Sequence, residues 1–341
     1  MQIIMDLHKE IIRVTSAYFN DEIDYLKLSK ASKEYRIILE DICGTNMNIE
    51  DGRIDVELEN GKALGTFWAA LCLDDLIRTR KFIRGINKAI KDKINSKKPL
   101  HILYAGTGPF ATLILPLIFR YSKQDIKYTL LEINPFSFQL LKNVISKLKL
   151  DAYDITLVNN DATKYKIDSK NKPDIIISET MQTALAKEQQ VPIFLNLMSQ
   201  VKENSIFIPE KITLSIGLTK KGTSINELQA KHYYKENKVF EVSKESMFST
   251  NQTERVITEK ITFEKKQTVI KKEKLAKCNQ LVIITEIQVY KDEEIHINES
   301  GLTTPVFIQD ISDNLSGSII IDTQYKISSN PKLEYNITLP N

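Results

Sequence analysis

The 341-residue chain has few of the features that mark secreted, membrane-bound or metal-binding proteins. Its three cysteines, Cys43, Cys72 and Cys278, lie far apart without CxxC or metal-ligand spacing, so we expect a reducing compartment and no metal site. No run of about 18 apolar residues occurs, which argues against a membrane span. The first residues also lack the basic segment and apolar core of a signal peptide. We therefore expect a soluble cytoplasmic protein.

An excess of either charge is also missing. The chain has 47 basic and 44 acidic residues, a net charge of +3, which is too balanced to predict nucleic-acid binding. Residues 265–277 are rich in lysine and are expected to form a solvated face. Hydrophobic residues make up 42% and charged residues 27% of the chain, as in an ordinary globular protein. The length allows one large domain but favours two.

The first two-thirds of the chain changes from helical to alternating patterns. Residues 3–41 carry apolar side chains at helical spacing, a short strand is predicted at 54–58, and Thr66 is expected to cap a helix over 67–94. Strands are then predicted at 100–104, 127–131, 155–158, 174–178 and 205–208, with helices near 110–121, 135–149 and 188–202. Strands that alternate with helices predict βαβ units and a parallel sheet.

From about residue 211 the pattern is rich in β-formers. A strand begins near 212–216, and others are predicted at 256–263, 281–290, 317–321 and 333–339, whereas 227–245 is ambiguous. Regularly spaced strands with turn signals predict a β-sandwich or barrel. We therefore divide the chain into a mainly helical segment (1–65), an α/β domain (66–210) and a β-rich domain (211–341).

Polar and glycine residues follow successive strands of the predicted α/β domain. The stretch Gly106-Thr107-Gly108 comes after the first strand, where glycines allow a sharp turn and close approach to a ligand. Glu132 ends the second strand, and Asn160-Asp161-Ala162 follows the third. In this architecture such positions contact the ribose hydroxyls and the adenine amine. A tight turn with solvated acids is the alternative, but the order of the three elements favours an adenosyl cofactor.

A dinucleotide cofactor competes with S-adenosyl-L-methionine for this loop. Ala111 fits the last position of the dinucleotide fingerprint, so spacing alone does not decide between them. Pro109, however, removes an amide donor that a phosphate would use at the helix start. S-adenosylmethionine carries no phosphate and loses nothing by this, so the loop favours the methyl donor.

A pair of glutamates lies just after the fourth strand of the α/β region. Glu179 follows Ser178 at the strand end, and Glu188 comes nine residues later, where the next helix is expected. Ligands of open α/β sheets bind beyond the carboxyl ends of the strands. Two carboxylates without compensation are costly in a shielded pocket, so we expect a cation between them. The alternative is a surface loop whose glutamates make helix-start and solvent contacts.

These residues together resemble the protein arginine methyltransferases, mainly over residues 65–218. The family carries Ser-Glu at this strand end with a second glutamate nine residues later, here Ser178, Glu179 and Glu188. The loop at 106–110 and the strand end at 132–135 resemble its symmetric-dimethylating branch. The resemblance implies a Rossmann-like class I methyltransferase domain with N-terminal helices and a C-terminal β-barrel or β-sandwich-like domain.

The resemblance also implies roles for individual residues. Glu179 and Glu188 would clamp a guanidinium as the catalytic pair, with Glu179 also beside the cofactor. Arg78 would pair with the methionine carboxylate, for which its planar fork is suited, unless it forms only a surface ion pair with Asp74 or Asp75. The expected activity is N-methylation of free arginine, an arginine derivative or a peptide arginine. The alternatives are another small-molecule nitrogen or oxygen acceptor, or a non-catalytic adenosyl-binding scaffold.

The chain also departs from that family. The Thr-His-Trp loop that usually faces the guanidinium is absent, because Trp68 is the only tryptophan. The turn at 300–305 is the nearest positional substitute. Tyr104 and Phe110 replace an aspartate and a glycine around the Gly loop. Expected partners are a small-molecule or peptide substrate with a cationic group, and a second copy of the chain in a homodimer through an arm at 224–250, but no nucleic acid and no membrane.

Overall fold

The computed structural model describes residues 2–95, 98–220, 232–248, 262–275, 278–311 and 317–340. The helical pattern over 3–41 forms two helices, α1 (Gln2–Thr15) and α2 (Tyr25–Cys43), which pack on each other. The carboxylate of Asp24 accepts from the amide of Lys27 and starts α2, and Gly44 ends it in the left-handed region. A short helix α3 (Glu50–Arg53) and a hairpin of β1 (Val56–Leu58) and β2 (Gly61–Ala63) follow.

The helix predicted over 67–94 is broken in two, so this prediction was wrong in its middle. The segment consists of α4 (Thr66–Leu71), a tight turn at Cys72–Asp74, and α5 (Leu76–Lys93). Asp75 has an extended backbone and its carboxylate accepts from the amide of Arg78 (3.2 Å), which starts a new helix. Thr66 is the first helical residue rather than the cap, and its hydroxyl hydrogen-bonds with Ser137 (2.8 Å) instead.

A parallel sheet forms the α/β domain, in the order β5-β4-β3-β6-β7. The strands are β3 (Leu100–Ala105), β4 (Ile126–Glu132), β5 (Asp154–Asn159), β6 (Ile175–Ser178) and β7 (Ile206–Ile208). Every residue of β3 and β6 is buried, as expected for central strands covered on both faces. The helices between the strands are α6 (Leu115–Ile118), α7 (Pro135–Lys147) and α8 (Gln190–Met198).

The helix predicted over 110–121 is reduced to the single turn α6. Ala111 adopts a left-handed backbone (φ 48°), which interrupts a right-handed helix. Pro116 lies at the start of α6, where its missing amide proton does no harm. The chain leaving the Gly loop therefore makes turns before it becomes helical.

Antiparallel sheets form the C-terminal domain. One contains β8 (Lys211–Thr219), β9 (Tyr234–Ser243), β11 (Gln280–Tyr290) and β12 (Glu293–Ile295) in the order β12-β11-β8-β9, with β13 (Val306–Asp310) also paired to β11. The other has the order β10-β14-β15, from β10 (Lys266–Ile270), β14 (Ile319–Lys326) and β15 (Lys332–Thr338). Phe240 of β9 stacks on Tyr325 of β14 (4.3 Å between ring centroids), which joins the two sheets. The predicted β-rich domain is thus present.

The strands predicted near 281–290, 317–321 and 333–339 correspond to β11, β14 and β15. The strand predicted at 256–263 falls almost entirely outside the described residues. The ambiguous segment 227–245 contains β9, and the described part of the expected arm is β9 with the short helix α9 (Lys244–Phe248). The lysine-rich stretch contributes β10 and the helix α10 (Lys272–Leu275). Within the described ranges, no helix combines the length and apolarity that a membrane crossing requires.

Candidate active site

A cavity of about 390 Å³ opens at the carboxyl edge of the parallel sheet. It is bounded by the β1–β2 hairpin, the bend between α4 and α5, the loops that follow β3, β4, β5 and β6, and a turn of the C-terminal domain. Most of the residues that the sequence singled out line it: Arg78, Gly106, Thr107, Gly108, Glu132, Asn160, Ala162, Glu179 and Glu188. Asp161 does not.

The Gly loop is shaped by backbone conformation and by a close contact. Gly106 and Gly108 both have left-handed backbones (φ 75° and 61°). A Cβ on Gly106 would lie 2.3 Å from Cγ2 of Thr180, so the loops after β3 and β6 meet here. A Cβ on Gly108 would meet only Ala69, at 3.6 Å. The first glycine therefore permits loop packing, and the second leaves room beside the cavity.

Glu132 is buried at the end of β4 and organises the loop on either side. Its carboxylate accepts from the amides of Gly108 (2.8 Å) and Asn134 (2.8 Å). Burial raises the pKa of this carboxyl, and the amide donors act in the opposite direction. The amide of Ile133 and the hydroxyl of Thr107 also lower the pKa of this carboxyl, which lines the cavity.

The residues 160–162 after β5 differ in whether they line the cavity. Asp161 accepts from the amide (2.8 Å) and hydroxyl (2.7 Å) of Thr163, which fixes a turn and directs its carboxylate away from the cavity. Asn160 and Ala162 line the cavity. The carbonyl of Ala162 accepts from the side-chain amide of Asn196 on α8 (2.8 Å), so this wall is tied to the helix that follows the glutamate pair.

Arg78 and Glu179 form a buried ion pair, with side chains 9% and 4% exposed. The other terminal nitrogen of Arg78 donates to the carbonyl of Cys72 (2.9 Å) in the bend between α4 and α5. Asp75, one of the alternative surface partners, contacts Arg78 by accepting from its backbone amide and not from its guanidinium. One carboxylate of the pair is therefore already matched by a protein cation.

Glu188 is buried in a different environment. It is 5% exposed and lines the cavity, and its Oε1 has no hydrogen-bond partner among the described residues. Burial raises its pKa to about 7, while Gln182, Lys62 and Arg78 act in the opposite direction. The two glutamates thus differ: Glu179 is ion-paired, and Glu188 keeps a free oxygen.

Gln190 closes the loop that carries both glutamates, a role that the sequence did not reveal. Its side chain accepts from the amide of Thr180 (2.9 Å) and donates to the carbonyl of Ser178 (3.0 Å). It is 1% exposed, at the first position of α8. The only signal would have been a polar residue at the start of a mainly apolar helix.

The other domains hold the same loop in a strained shape. Ala184, Leu185 and Lys187 have left-handed backbones (φ 56°, 54° and 67°), which non-glycine residues rarely adopt. The hydroxyl of Tyr325 donates to the carbonyl of Leu185 (2.7 Å), and the hydroxyl of Thr285 accepts from the amide of Ala184 (3.0 Å). The amide of Lys62 in β2 donates to the carbonyl of Lys187 (2.9 Å). The loop is therefore fixed by residues distant in sequence.

The turn suggested as a substitute for the missing tripeptide lies at the cavity. Gly301 and Leu302 line it. The hydroxyl of Ser300 (2.6 Å) and the amide of Gly301 (3.0 Å) donate to the carboxylate of Asp75. Asp75 therefore ties the turn to the start of α5, one helical turn before Arg78.

No cluster of three or more His, Cys, Asp or Glu side chains that could hold a metal ion occurs in the described ranges. The described residues at the site supply carboxylates, a guanidinium and two glycines in the left-handed region around a cavity of about 390 Å³. Its chemistry is that of binding and orienting polar organic molecules.

Comparison with known sequences gives little about activity. No family model matches the chain. A curated relative is an uncharacterised protein of Methanocaldococcus jannaschii, 23% identical over 247 residues, which covers 70% of this chain and 85% of the relative.

Comparison with solved structures identifies the fold. The chain is similar to PRMT6 (TM-score 0.52, 12% identity, 78% of this chain and 97% of that chain). It is also similar to a chain of the Trypanosoma brucei PRMT1 enzyme–prozyme heterotetrameric complex with AdoHcy (TM-score 0.51, 11% identity, 79% and 92%). The chain therefore has the fold of the protein arginine methyltransferases, with a Rossmann-like parallel sheet followed by a C-terminal region of antiparallel sheets.

Proposed function

We propose that the protein is an S-adenosylmethionine-dependent N-methyltransferase whose acceptor carries a guanidinium: free arginine, an arginine derivative or a peptide arginine. The observation that carries the proposal is the buried, unequal glutamate pair at the cavity, with Glu179 ion-paired to Arg78 and Glu188 left with an unpartnered oxygen. The shared fold supports the methyl donor, since the Trypanosoma brucei PRMT1 structure contains AdoHcy.

The residues at the cavity fit the methyl donor. A volume of about 390 Å³ lies within the ordinary range of small-molecule sites. Glu132 lines the cavity at the strand end where a ribose would lie, and Asn160 and Ala162 form the wall where an adenine would lie. Arg78 has five N–H donors, of which Glu179 and Cys72 use only some, so a carboxylate could join them. When bound, S-adenosylmethionine supplies a methyl group on a positively charged sulfur.

A guanidinium would supply the hydrogen-bond donor that Oε1 of Glu188 lacks among the described residues, together with a positive charge. Its N–H groups can donate to the unpartnered Oε1 in a charge-assisted bond, and its charge offsets the burial of an ionised Glu188. Glu179 needs less from the ligand because Arg78 already balances its charge. With Arg78 in place, the two glutamates therefore suit one further cation, which the ligand would supply.

Catalysis by this chain would then consist of orientation and proton handling. Glu179, held by Arg78, provides a fixed acceptor that sets the direction of the guanidinium. Glu188 draws positive charge toward itself and away from the attacking nitrogen. Because its pKa lies near neutrality, Oε1 of Glu188 can hold the proton that this nitrogen loses. Leu71, Leu73 and Leu302 line the cavity and exclude water.

A different acceptor remains a second candidate because of the turn at 300–304. In place of a Thr-His-Trp loop, this turn presents Gly301 and Leu302 to the cavity, and its Ser300 contacts Asp75. An amine, an imidazole or a hydroxyl on a small molecule is the corresponding substrate class.

A competition between acceptors separates the candidates. The protein is incubated with S-adenosylmethionine and an equimolar mixture of L-arginine, an arginine-containing peptide, L-lysine, L-histidine and a primary alcohol, and mass spectrometry identifies the methylated product. We expect only guanidinium compounds to gain a methyl group. Methylation of lysine, histidine or the alcohol alone would support the second candidate, and S-adenosylhomocysteine binding without any product would favour a scaffold.

A further inference from the structure

The side chain of Gln189 is buried at the cavity and is not used by the mechanism above. It is 4% exposed, and its Nε2 has no hydrogen-bond partner among the described residues. It precedes the first residue of α8, with φ −90° and ψ 17°, a sparsely populated backbone region that active-site residues often occupy. A buried amide donor without a partner is unfavourable, so its retention calls for a physical reason.

The distribution of unpartnered buried atoms points to that reason. Within the described residues these atoms belong to Tyr18, Arg36, Arg80, His101, Glu188, Gln189 and Ser215. Of these residues only Glu188 and Gln189 line the cavity, and they are adjacent in the chain. One offers an acceptor and the other a donor. Their proximity indicates that a molecule bound in the cavity supplies the missing hydrogen-bond partners of both atoms.

The loop geometry fixes where these two side chains lie. Lys187 turns the chain with its left-handed backbone, and the backbone of Glu188 forms an isolated parallel β-bridge with Lys62 of β2. Gln190, the next residue, is fully engaged with Thr180 and Ser178. Gln189 therefore lies between two anchored neighbours.

The chemistry of Nε2 excludes the guanidinium as its partner. A guanidinium has only N–H donors and no acceptor, so it can satisfy Glu188 but not an amide donor. We propose that Gln189 is a ligand-binding residue that donates a hydrogen bond to a lone-pair-bearing oxygen or nitrogen of a bound molecule. That atom belongs either to the adenosyl donor or to an oxygen that the methyl acceptor carries besides its cation. The inference rests on the proposed function and extends it to a second polar anchor.

Two adjacent glutamines provide a matched test. Gln189→Met keeps the length of the side chain and removes the unpartnered amide, whereas Gln190→Met removes an amide that has partners. We expect Gln189→Met to raise the Tm of the unliganded protein and Gln190→Met to lower it, because only the second leaves buried groups unpaired. Gln189→Asn, which keeps an amide but withdraws it, serves if the Met variant does not fold.

Calorimetry then locates the partner atom. S-adenosylhomocysteine is titrated into wild type and Gln189→Met, and L-arginine is titrated into each in the presence of saturating S-adenosylhomocysteine. We expect one of the two affinities to fall about tenfold in the variant, as for the loss of one hydrogen bond. A weaker S-adenosylhomocysteine titration assigns the atom to the adenosyl donor, and a weaker L-arginine titration assigns it to the acceptor.

The failures are distinguishable. If wild type binds both compounds and Gln189→Met binds them equally well, the inference is overturned and the proposed function stands. If wild type binds neither compound, the proposed function is contradicted and the inference falls with it.

Discussion

Arg78 on α5 and Glu179 after β6 pair their charges at the wall of the cavity, with both side chains more than nine-tenths buried. The pair joins the bend that covers the cavity to the strand end that carries the first glutamate. A buried charge that loses its partner is strongly unfavourable. Removing Arg78 alone is therefore expected to destabilise the fold more than replacing both residues of the pair.

Arg78→Met should lower the free energy of unfolding by about 3–5 kcal/mol, because Glu179 would remain buried without a counter-charge. The double variant Arg78→Met/Glu179→Gln should recover part of this loss. Urea denaturation of both variants measures the coupling. Arg13→Met, at an exposed ion pair with Glu10, is the control and should change little. Equal destabilisation by Arg78→Met and Arg13→Met would contradict a buried pair.

Glu188 predicts a specific dependence of stability on pH. Burial raises its pKa from 4.5 to about 7, so the folded protein binds this proton more tightly than the unfolded chain. The stabilisation is fully present below pH 4.5 and is lost as the pH rises through 7, by on the order of 3 kcal/mol. Glu188→Gln should lack this decline, and its unfolding free energy should exceed that of wild type above pH 7.

Urea denaturation of wild type and Glu188→Gln between pH 4 and 8 checks this prediction. Lys62, Asp55, Arg78 and Gln182 surround the carboxyl in both proteins, so their contributions largely cancel in the difference. Glu57→Gln, at an exposed position of β1, is the control. If the difference in unfolding free energy between wild type and Glu188→Gln did not vary with pH, the raised pKa of Glu188 would be contradicted.

The two loop glycines should respond unequally to alanine. Both substitutions strain a left-handed backbone by about 1–2 kcal/mol. Gly106→Ala also places a Cβ 2.3 Å from Thr180, whereas Gly108→Ala meets only Ala69 at 3.6 Å. Gly106→Ala should therefore lower the Tm of the unliganded protein more than Gly108→Ala does. Equal shifts in thermal unfolding would show that the two loops do not pack together as described.

The hydroxyl of Tyr325 should affect turnover more than donor binding. Tyr325→Phe leaves the carbonyl of Leu185 without its partner, which costs about 1–3 kcal/mol, and loosens the loop that carries both glutamates. We expect a several-fold lower kcat with an unchanged Kd for S-adenosylhomocysteine. Tyr335→Phe, at an exposed tyrosine of β15, is the control. A weaker donor affinity with normal kcat would place the effect elsewhere.

Much of the α/β domain was predictable because its information is local. Strands such as 100–104 and 174–178 consist mainly of apolar residues, and the residues that follow them gather at one edge of a parallel sheet. The amino-acid sequence alone therefore sufficed to assign Glu132, Glu179 and Glu188 to one cavity. Asp161 shares this edge but turns toward Thr163, because a nearby hydroxyl and amide compete for its carboxylate.

The remaining features depend on contacts between distant segments. The break at Asp75 is stabilised by a carboxylate that caps α5 and also accepts from Ser300 and Gly301. The left-handed residues around Ala184 are held by Thr285 and Tyr325 of the β-rich domain. Helical spacing and residue propensity carry no information about such partners, so the sequence predicted a continuous helix and no strained loop.

Methyl transfer to a guanidinium nitrogen is the activity on which the roles of Glu179 and Glu188 depend. The decisive experiment incubates the protein with S-adenosylmethionine carrying a deuterated methyl group and either L-arginine or an arginine-containing peptide, and follows the products by tandem mass spectrometry. We expect the labelled methyl on a guanidinium nitrogen of at least one of them with wild type, and no labelled product with Glu179→Gln. Wild-type protein that binds S-adenosylhomocysteine and transfers no label to either compound would contradict the proposed function, and Glu179→Gln that transfers it normally would contradict the role of Glu179.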